Sequence, residues 1–288
     1  MIKKKLSVII IGLILAAAAA FAAYIAIDNS RVVLKKYSVA SEKLPMSFDG
    51  FRISVVSDFH NGKNGGKTAD AVRSANPDII CIVGDLVNMH DKVFTNTEKL
   101  VDDLLHIAPV YYVNGNHEQS NMILYNYDKP AVQKVLENTD VRILNNECTL
   151  IERRGQYINL AGYMDNNFDD ENTYFRDKAK AELESLKKSF DSSLYTICMI
   201  HRGQYFDTLS ETDGYDLYLS GHLHGGLVNL PKIRQKILLE HFGTDKYVKG
   251  KYRDNGKTEI ISGGLGEEKS IPRVFNTPEV VLVELKTK

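Results

Sequence analysis

The most strongly patterned segment of the chain lies at its N-terminus. Residues Leu6–Ile27 contain no charged side chain and are preceded by Lys3, Lys4 and Lys5. As a helix this run would be roughly 33 Å long, which matches the hydrocarbon core of a bilayer. We therefore expect a membrane anchor within residues 1–30, with the lysines on the cytoplasmic side and the rest of the chain outside the cytoplasm.

A second interpretation of this segment is a cleaved signal peptide, because Ala20-Phe21-Ala22 fits a cleavage site. The apolar run continues past that site to Ile27, which favours an uncleaved anchor. A buried core helix is a third interpretation, but no other segment is so uniformly apolar. The first interpretation predicts a single-pass protein of the cell membrane, and the second predicts a secreted protein.

Beyond residues 31–48, a polar stretch that we interpret as a tether, apolar β-branched runs alternate with helical patterns. The predicted buried strands are Arg52–Ser57, Asp78–Gly84, Val110–Asn114, Leu194–Ile200 and Tyr215–Ser220. The predicted helices between them are Lys67–Ala75, Asn96–Ile107 and Arg176–Phe190. Short alternating runs in Val141–Tyr163 predict a hairpin that turns at Arg154-Gly155, and Glu259–Leu285 predicts further strands. The pattern predicts one α/β domain over residues 49–288.

Composition and charge narrow the choice of function. The 288 residues include 36 basic and 37 acidic side chains, and 43% are hydrophobic. This is an ordinary globular composition, and its near-neutral balance gives no reason to expect a nucleic-acid partner. The three cysteines form no CxxC motif, and Cys81 and Cys198 lie in strand-like runs, so we expect buried thiols.

Polar residues with metal-binding side chains follow each of the five predicted strands. They are Asp58 and His60, then Asp85, then Asn116 and His117, then His201, and finally His222 and His224. Sites in α/β sheets gather beyond the carboxyl ends of strands, so these groups are expected to converge. Each motif alone is more often a turn or, for His201, a core histidine. Their joint occurrence in this order favours a site.

The donor types indicate which ions such a site would take. Carboxylate, amide and imidazole ligands suit Mn, Fe, Ni or Zn, and no thiolate is among them. The ligands are too many for one tetrahedral ion, but they fit two ions that share a bridging carboxylate.

The same motifs identify a family resemblance. Asp58-x-His60, Gly84-Asp85-x-x-Asn88, Gly115-Asn116-His117-Glu118, His201 and Gly221-His222-x-His224 resemble the calcineurin-like metallophosphoesterase superfamily. The glycines after His224, together with Ser262–Gly266 and Pro272-Arg273, are similar to its membrane-associated bacterial branch. The resemblance implies a four-layer α-β-β-α sandwich, here with an N-terminal transmembrane helix. Asn88 stands where the family often has Asp, and Leu227 stands where that branch often has Gln.

Carried over position by position, the resemblance implies two divalent metal ions. One would be held by Asp58, His60, Asp85 and His224, and the other by Asp85, Asn116, His201 and His222, with Asp85 as the bridge. His117 matches the histidine that faces the substrate and protonates the leaving oxygen.

The implied activity is hydrolysis of phosphomonoesters or phosphodiesters, in which a metal-bridging hydroxide attacks phosphorus. Tethering by one helix favours a lipid-linked or cell-envelope phosphoester, although soluble nucleotides fit the motifs equally well. The alternative is a binding or scaffold protein that keeps the fold without catalysis. The complete ligand set favours the enzyme. The sequence leaves the oligomeric state open.

Overall fold

The protein is described by a computed structural model that covers residues 2–165, 172–266 and 272–288, without the side chains of residues 2–4, 172–175 and 241. Two six-stranded sheets lie face to face in this part of the chain. In chain order the strands are β1 (Val33–Ser41), β2 (Arg52–Val56), β3 (Ile79–Val83), β4 (Val110–Val113), β5 (Arg142–Ile143), β6 (Glu147–Arg153), β7 (Gln156–Tyr163), β8 (Thr196–Arg202), β9 (Leu217–Gly221), β10 (Gly250–Asp254), β11 (Lys257–Ile261) and β12 (Glu279–Thr287).

Eight helices lie in the described part of the chain. They are α1 (Ile2–Asn29), α2 (Gly65–Ala75), α3 (Thr95–Leu105), α4 (Asn116–Leu124), α5 (Ala131–Leu136), α6 (Asn172–Leu186), α7 (Phe206–Leu209) and α8 (Pro231–Phe242). Short 3₁₀ segments lie at Met46–Phe48, Lys187–Ser189, Gly203–Tyr205 and His224–Gly226.

The strand order explains how the halves of the chain are combined. Sheet 1 has the order β1-β12-β2-β3-β4-β5, and sheet 2 has the order β10-β11-β9-β8-β7-β6. Most neighbours are parallel, and the antiparallel pairs in the described residues are β12–β2, β10–β11 and β6–β7. The carboxyl ends of β2, β3 and β4 therefore lie at one edge of sheet 1, and those of β8 and β9 lie at one edge of sheet 2.

Three apolar clusters fill the spaces between the layers. The central cluster joins the facing sides of the sheets through residues such as Val55 and Met199. A second cluster packs α2, α3 and α5 against sheet 1, and a third packs α6 and α7 against sheet 2. Burial of both faces accounts for the continuous apolar strands in the sequence. The predicted four-layer α-β-β-α sandwich is confirmed.

The interpretation of residues 31–48 as a tether is wrong in its local structure. Val33–Ser41 form β1, an edge strand that pairs in parallel with β12 from Val33↔Glu279 to Ser41↔Thr287. Lys35 and Lys36 lie on this edge, where exposed lysines discourage pairing with another chain. The polar character that suggested a tether is therefore that of an edge strand.

The predicted hairpin is present but shorter than expected. β6 and β7 pair from Glu147↔Gly162 to Arg153↔Gln156, and Arg154 and Gly155 both have positive φ values, of 53° and 77°. Such a two-residue turn matches the twist of the strands that it joins. The start of the predicted segment instead contributes β5 to sheet 1.

The N-terminal helix is long and apolar enough to cross a membrane over Lys5–Asn29, a test that a signal sequence also passes. Its C-terminal end contacts the α/β domain. Thr277 Oγ1 donates a hydrogen bond to Asp28 Oδ1 at 2.8 Å, and Asn64 Nδ2 donates to the Asn29 carbonyl at 3.0 Å. Asp28 and Asn29 are both buried by these contacts.

Candidate metal centre

The loops after five strands bring the sequence-predicted site residues to one place between the sheets. Asp58 and His60 follow β2, Asp85 follows β3, Asn116 and His117 open α4 directly after β4, His201 lies at the end of β8, and His222 and His224 follow β9. All but Asn116 belong to three overlapping groups whose ligand atoms lie within 4.8 Å of one another. Asn116 adjoins His117, whose backbone N–H donates to Asp85 Oδ1 at 2.9 Å.

The first group contains Asp58, His60 and His224. The Nε2 atoms of the two histidines are 3.3 Å apart, and His224 Nε2 lies 3.8 Å from Asp58 Oδ1. Ser57 Oγ and the His222 backbone N–H donate to the Asp58 carboxylate, which fixes its orientation. Three donors from two sheets therefore face one point.

The second group contains Asp85, His201 and His222. His201 Nε2 lies 3.1 Å from Asp85 Oδ2 and 3.3 Å from His222 Nδ1. The pairing of β8 with β9 shifts register between Met199 and Arg202, and this irregularity sets the position from which His201 reaches the site.

Asp85 connects the two groups. Its Oδ2 atom lies 3.9 Å from His60 Nε2 and 3.9 Å from His117 Nε2, in addition to its contact with His201. A carboxylate between two clusters of imidazoles is the arrangement that a bridging ligand requires.

Hydrogen bonds of the outer ring atoms orient two of the histidines. The Nδ1 of His201 lies 2.8 Å from the Val83 carbonyl oxygen, so it carries a proton, and Nε2 is the atom that faces Asp85 and the site. At His117 the Met89 backbone N–H points to Nδ1 at 3.3 Å, so a neutral ring carries its proton on Nε2, which faces Asp85.

An unpartnered buried atom also fits an ion at this position. Asn116 Oδ1 is buried and has no hydrogen-bond partner among the described residues. A buried amide oxygen without a partner is costly unless it has another ligand to bind. The residues present therefore fit a site for divalent metal ions.

Strained backbone accompanies the cluster. Asp58, His60, Asp85, His222 and His224 all have φ between 48° and 78°. This left-handed region costs free energy in residues other than glycine and is concentrated at functional sites. The loops thus hold these side chains in place at the expense of local backbone stability.

Close packing explains two of the neighbouring glycines. A Cβ atom at Gly221 would lie 1.8 Å from Ser57 Oγ, and one at Gly115 would lie 2.3 Å from Asp85 Oδ1. Both distances are far below a normal contact. These positions accept only glycine because the carboxylates pass directly over the backbone.

Glu118 supports the loops that carry Asp85 and Asn116. Its carboxylate is fully buried and accepts hydrogen bonds from the backbone N–H groups of Asp85 (3.0 Å), Leu86 (2.8 Å), Val87 (3.2 Å) and Gly115 (2.7 Å). No role for Glu118 was predicted from the sequence. Its position within a Gly-Asn-His-Glu motif is the only signal in the sequence.

Burial and charge set the protonation of the imidazoles. Burial is the main cause that lowers the pKa of His60 and of His224 to about 3, and it also lowers the pKa of His222. Burial acts in the same direction on His201, but the carboxylate of Asp85 outweighs it and raises that pKa to about 10. His60, His222 and His224 are therefore neutral near pH 7, the form that binds metals.

The carboxylates respond in opposite directions. Burial raises the pKa of Asp85, but the charges of His201 and His117 outweigh that effect and hold it well below its usual range. Burial and the Asp85 carboxylate raise the pKa of Glu118 to about 7. Asp85 is therefore ionised at neutral pH and available as a ligand.

Two arginines adjoin the site in a way that the sequence did not predict. Arg202 is buried and donates through Nε to Asp165 Oδ2 at 2.6 Å. Arg273 is also fully buried and donates to the carbonyl oxygens of Gly266 (2.6 Å) and His224 (3.2 Å). Neither side chain lies on the exposed surface.

Arg273 also makes one contact that does not match a metal bound through His224 Nε2. Its Nη2 lies 3.2 Å from His224 Nδ1, and a guanidinium can only donate, so Nδ1 is the acceptor here. A neutral ring in that form carries its proton on Nε2. Binding a metal at Nε2 therefore requires the Arg273 guanidinium to move away from Nδ1.

Asn88, Leu227 and Lys63 lie close to the site. Asn88 Nδ2 donates to the His60 carbonyl at 2.7 Å, so it supports a ligand loop. Leu227 is buried beside the glycines that follow His224, and Lys63 is exposed at the rim of a cavity that adjoins His60. Cys81 and Cys198 are buried free thiols, as predicted.

Two relatives of known sequence are named metallophosphoesterases. A metallophosphoesterase of Campylobacter jejuni is 28% identical over 278 residues, covering 93% of this chain and 67% of that protein. One from Helicobacter pylori J99 is 27% identical, covering 90% of this chain and 65% of that protein. The chain thus spans about two thirds of the length of these relatives. The protein YpbG of Bacillus subtilis is 26% identical, and 98% of each chain is covered.

Among solved structures, TT1561 of Thermus thermophilus matches with a TM-score of 0.49 and 16% identity over 75% of this chain and 90% of that one. The phosphopantetheinyl hydrolase of Mycobacterium tuberculosis matches with a TM-score of 0.47 and 13% identity over 76% of this chain and 91% of that one.

The family model for calcineurin-like phosphoesterases matches residues 51–226, the range that contains every predicted site residue. The match covers more than half of the chain and agrees with the fold and with the cluster of histidines and carboxylates around Asp85. The chain therefore belongs to the calcineurin-like phosphoesterase family and is a metal-dependent phosphoesterase.

Proposed function

We propose that this protein hydrolyses phosphomonoesters or phosphodiesters at a membrane surface with two divalent metal ions. One ion is held by Asp58, His60, Asp85 and His224. The other is held by Asp85, Asn116, His201 and His222, with Asp85 shared between them. Manganese, iron, zinc and nickel all suit these donors.

The observation that carries the proposal is the position of Asp85. A single buried carboxylate faces His60 and His117 at 3.9 Å and His201 at 3.1 Å, from loops of both sheets. A purely structural role for this cluster would leave Asn116 Oδ1 buried without a partner. A bound metal ion would satisfy this buried donor atom.

Bound ions would supply an activated water nucleophile and neutralise charge on the phosphate. The chain itself supplies the proton for the leaving group. His117 Nε2 faces the Asp85 side of the site, Met89 holds its Nδ1, and the side chain is partly exposed. A histidine in this setting acts as a general acid and accelerates the reaction by about 10²–10⁴-fold.

The membrane part of the proposal rests on α1. The helix is apolar over the length of a bilayer, and its last residues, Asp28 and Asn29, are buried against the domain. This favours an uncleaved single-pass anchor with the phosphoesterase domain outside the cytoplasm, and a phosphoester of the lipid or cell-envelope class as substrate.

The test uses the full chain in detergent micelles. Metal content is measured, followed by hydrolysis of bis-p-nitrophenyl phosphate and p-nitrophenyl phosphate with added Mn²⁺ and after chelation. We expect about two ions per chain and metal-dependent turnover, and the ratio of the two rates distinguishes a diesterase from a monoesterase. Bound metal without turnover on either compound would indicate a narrow substrate, and no metal with no turnover would favour the scaffold alternative.

Two variants separate the roles of the site residues. Asp85→Ala should remove both metal binding and activity, because it removes the shared ligand. His117→Ala should keep the metals and lose activity by about 10²–10⁴-fold, most strongly for poor leaving groups. His106→Ala is the control, since that histidine lies exposed at the end of α3. Full activity of His117→Ala on poor leaving groups would refute the acid role.

A further inference from the structure

The C-terminal turns of α1 line a cavity that reaches one residue of the candidate metal centre. The cavity has a volume of about 780 Å³ and lies between this helix and the loop that follows β2. Ala22, Ile25 and Ala26 of α1 form one wall, and Phe59 and the candidate ligand His60 form part of the other. The helix therefore shares a cavity with His60.

The helix is held in this position by contacts on two sides. At the start of α2, Asn64 Nδ2 and Lys67 Nζ donate hydrogen bonds. Their acceptors are the carbonyl oxygens of Asn29 and Ser30 at the end of α1. On the adjoining face, the rings of Tyr24 and Phe275 pack with centroids 5.5 Å apart. These contacts fix the distance between α1 and the loop that carries His60.

The two walls of the cavity differ in polarity. The α1 wall is alanine and isoleucine from Ala22 to Ala26, and it continues into the exposed apolar part of the helix. The amide side chains of Asn61, Asn64, Asn88 and Asn96 and the Lys63 ammonium line the opposite side. His60 also lines the cavity, is only 6% exposed, and has an Nδ1 atom without a partner.

This lining matches one class of ligand. A phosphoester group needs a cationic donor and a metal ligand, and Lys63 and His60 on the domain side of the cavity offer these. An alkyl chain needs an apolar wall that leads into lipid, which α1 supplies. Alanine at positions 22 and 26 leaves room for such a chain, because a larger side chain at either position would project into the cavity.

We propose that the α1 wall formed by Ala22, Ile25 and Ala26 binds an alkyl chain of the substrate, so that the anchor helix helps to select phosphoesters with apolar tails. This inference rests on the proposed phosphoesterase function. It assigns a substrate-binding role to residues of the membrane helix, in addition to their role in anchoring.

The first experiment uses the full chain in lipid nanodiscs and a series of p-nitrophenyl alkyl phosphodiesters with methyl, butyl, octyl and dodecyl chains. Full burial of each methylene is equivalent to about a fourfold gain in binding. We expect kcat/KM to rise at least tenfold from methyl to octyl. A flat series with metal-dependent turnover would overturn the inference and leave the proposed function standing, whereas no turnover on any member would contradict both.

Matched substitutions on α1 locate the effect. Ala26→Trp and Ala22→Trp should abolish the gain from chain length, so that the octyl and methyl esters are hydrolysed with kcat/KM values within about twofold of each other in each variant. Ala20→Trp is the control, because it lies about 160° round the helix from Ala22 and does not line the cavity. If Ala20→Trp lost the gain to the same extent, the wall would have no specific role.

A second measurement does not depend on turnover. Ala26→Cys is labelled with a maleimide in a Cys148→Ser background, with Cys81 and Cys198 buried. Dodecyl phosphate should protect Ala26→Cys from labelling, inorganic phosphate should not, and Ala20→Cys should be unprotected by either. Equal protection of both positions by dodecyl phosphate would overturn the proposal, since it would show insertion into the lipid only.

Discussion

Glu118 shows how a residue that touches no substrate can determine the site. Its two carboxylate oxygens accept from four backbone N–H groups in the loops after β3 and β4. Those loops carry Asp85, Asn116 and His117. The carboxylate therefore holds Asp85, the proposed shared ligand, and His117, the proposed general acid, in fixed relation to one another.

Glu118→Gln tests this support. The glutamine amide group would present N–H donors to backbone N–H donors, which leaves buried groups unpaired. We expect the free energy of unfolding to fall by about 3 kcal/mol and metal content to drop. Chemical denaturation and metal analysis measure these effects, with Glu98→Gln as a control because Glu98 is exposed on α3. Unchanged stability with normal metal content would contradict the supporting role.

The buried histidines predict how the metal-free protein responds to acid. In the unfolded chain His60 and His224 take up protons below about pH 6.5, whereas in the folded protein they do so only near pH 3. The unfolded state thus binds more protons between these values, so the free energy of unfolding falls as the pH falls through this window. Each histidine contributes about 1.4 kcal/mol per pH unit at most.

The measurement compares chelated wild type with His60→Asn by denaturation from pH 6.5 to 3. Glu118 has the opposite effect between pH 4.5 and 7, because its pKa is raised on folding, but it is present in both proteins. The variant should therefore show a shallower loss of stability on acidification. Parallel curves would show that His60 is not buried as a neutral ring.

At the scale of elements, the site depends on how closely the strand ends approach each other. Gly221 ends β9, and Ser57 and Asp58 follow β2 in the other sheet. Because a Cβ atom at Gly221 would lie 2.5 Å from Asp58 Oδ2, the contact between the sheets is set at this glycine.

Gly221→Ala should push Ser57 and Asp58 away from the site. We expect metal binding at the position that includes Asp58 to weaken at least tenfold, with about one ion per chain left at low metal concentration. Isothermal titration with Mn²⁺ measures this. Gly66→Ala is the control, because a Cβ atom there meets nothing within 4 Å. Two tightly bound ions in Gly221→Ala would mean that the strand ends can separate without affecting the ligands.

The elements that could be predicted from sequence are those with a local signal. The turn at Arg154-Gly155 was predictable because its two residues alone determine the hairpin geometry. The candidate ligands were predictable because each follows a buried apolar strand, and parallel strands end at one edge. By contrast, β1 pairs with a strand about 246 residues away, and its exposed Lys35 and Lys36 conceal its apolar face.

Contacts between distant segments account for the other features that the sequence did not predict. Arg273 reaches His224 across 49 positions of the chain, and nothing near either residue predicts the contact. The cavity beside His60 likewise requires α1 to dock on the domain. Such features depend on tertiary packing, which residue patterns along the chain do not encode locally.

At the scale of the whole molecule, α1 and the α/β domain are closely connected. The helix ends at Asn29 and β1 begins at Val33, so three residues separate an apolar helix from a sheet. With Tyr24 and Phe275 in contact as well, the domain is held against the C-terminal end of the helix. The position of the candidate metal centre relative to α1 is therefore set by covalent and packing contacts together.

A cross-linking measurement tests this arrangement in nanodiscs. Tyr24→Cys with Phe275→Cys, in a Cys148→Ser background, should be joined efficiently by a short bismaleimide. Ala19→Cys with Phe275→Cys is the control, because position 19 lies about 140° round the helix from position 24. We expect at least a tenfold difference in cross-linking rate, measured by mass spectrometry. Equal rates would show that the helix rotates or separates freely.

The position of β12 has a consequence for the order in which the molecule is made. β12 lies between β1 and β2, so sheet 1 cannot form its native order until residues 279–287 have been synthesised. Pairing at such long sequence separation is slow, because loop closure precedes any gain from the contacts. Sheet 1 therefore remains unformed while the chain is being synthesised, and a chain without a folded sheet can still be threaded across a membrane. Late closure of the sheet would thus suit the export that the proposed function requires.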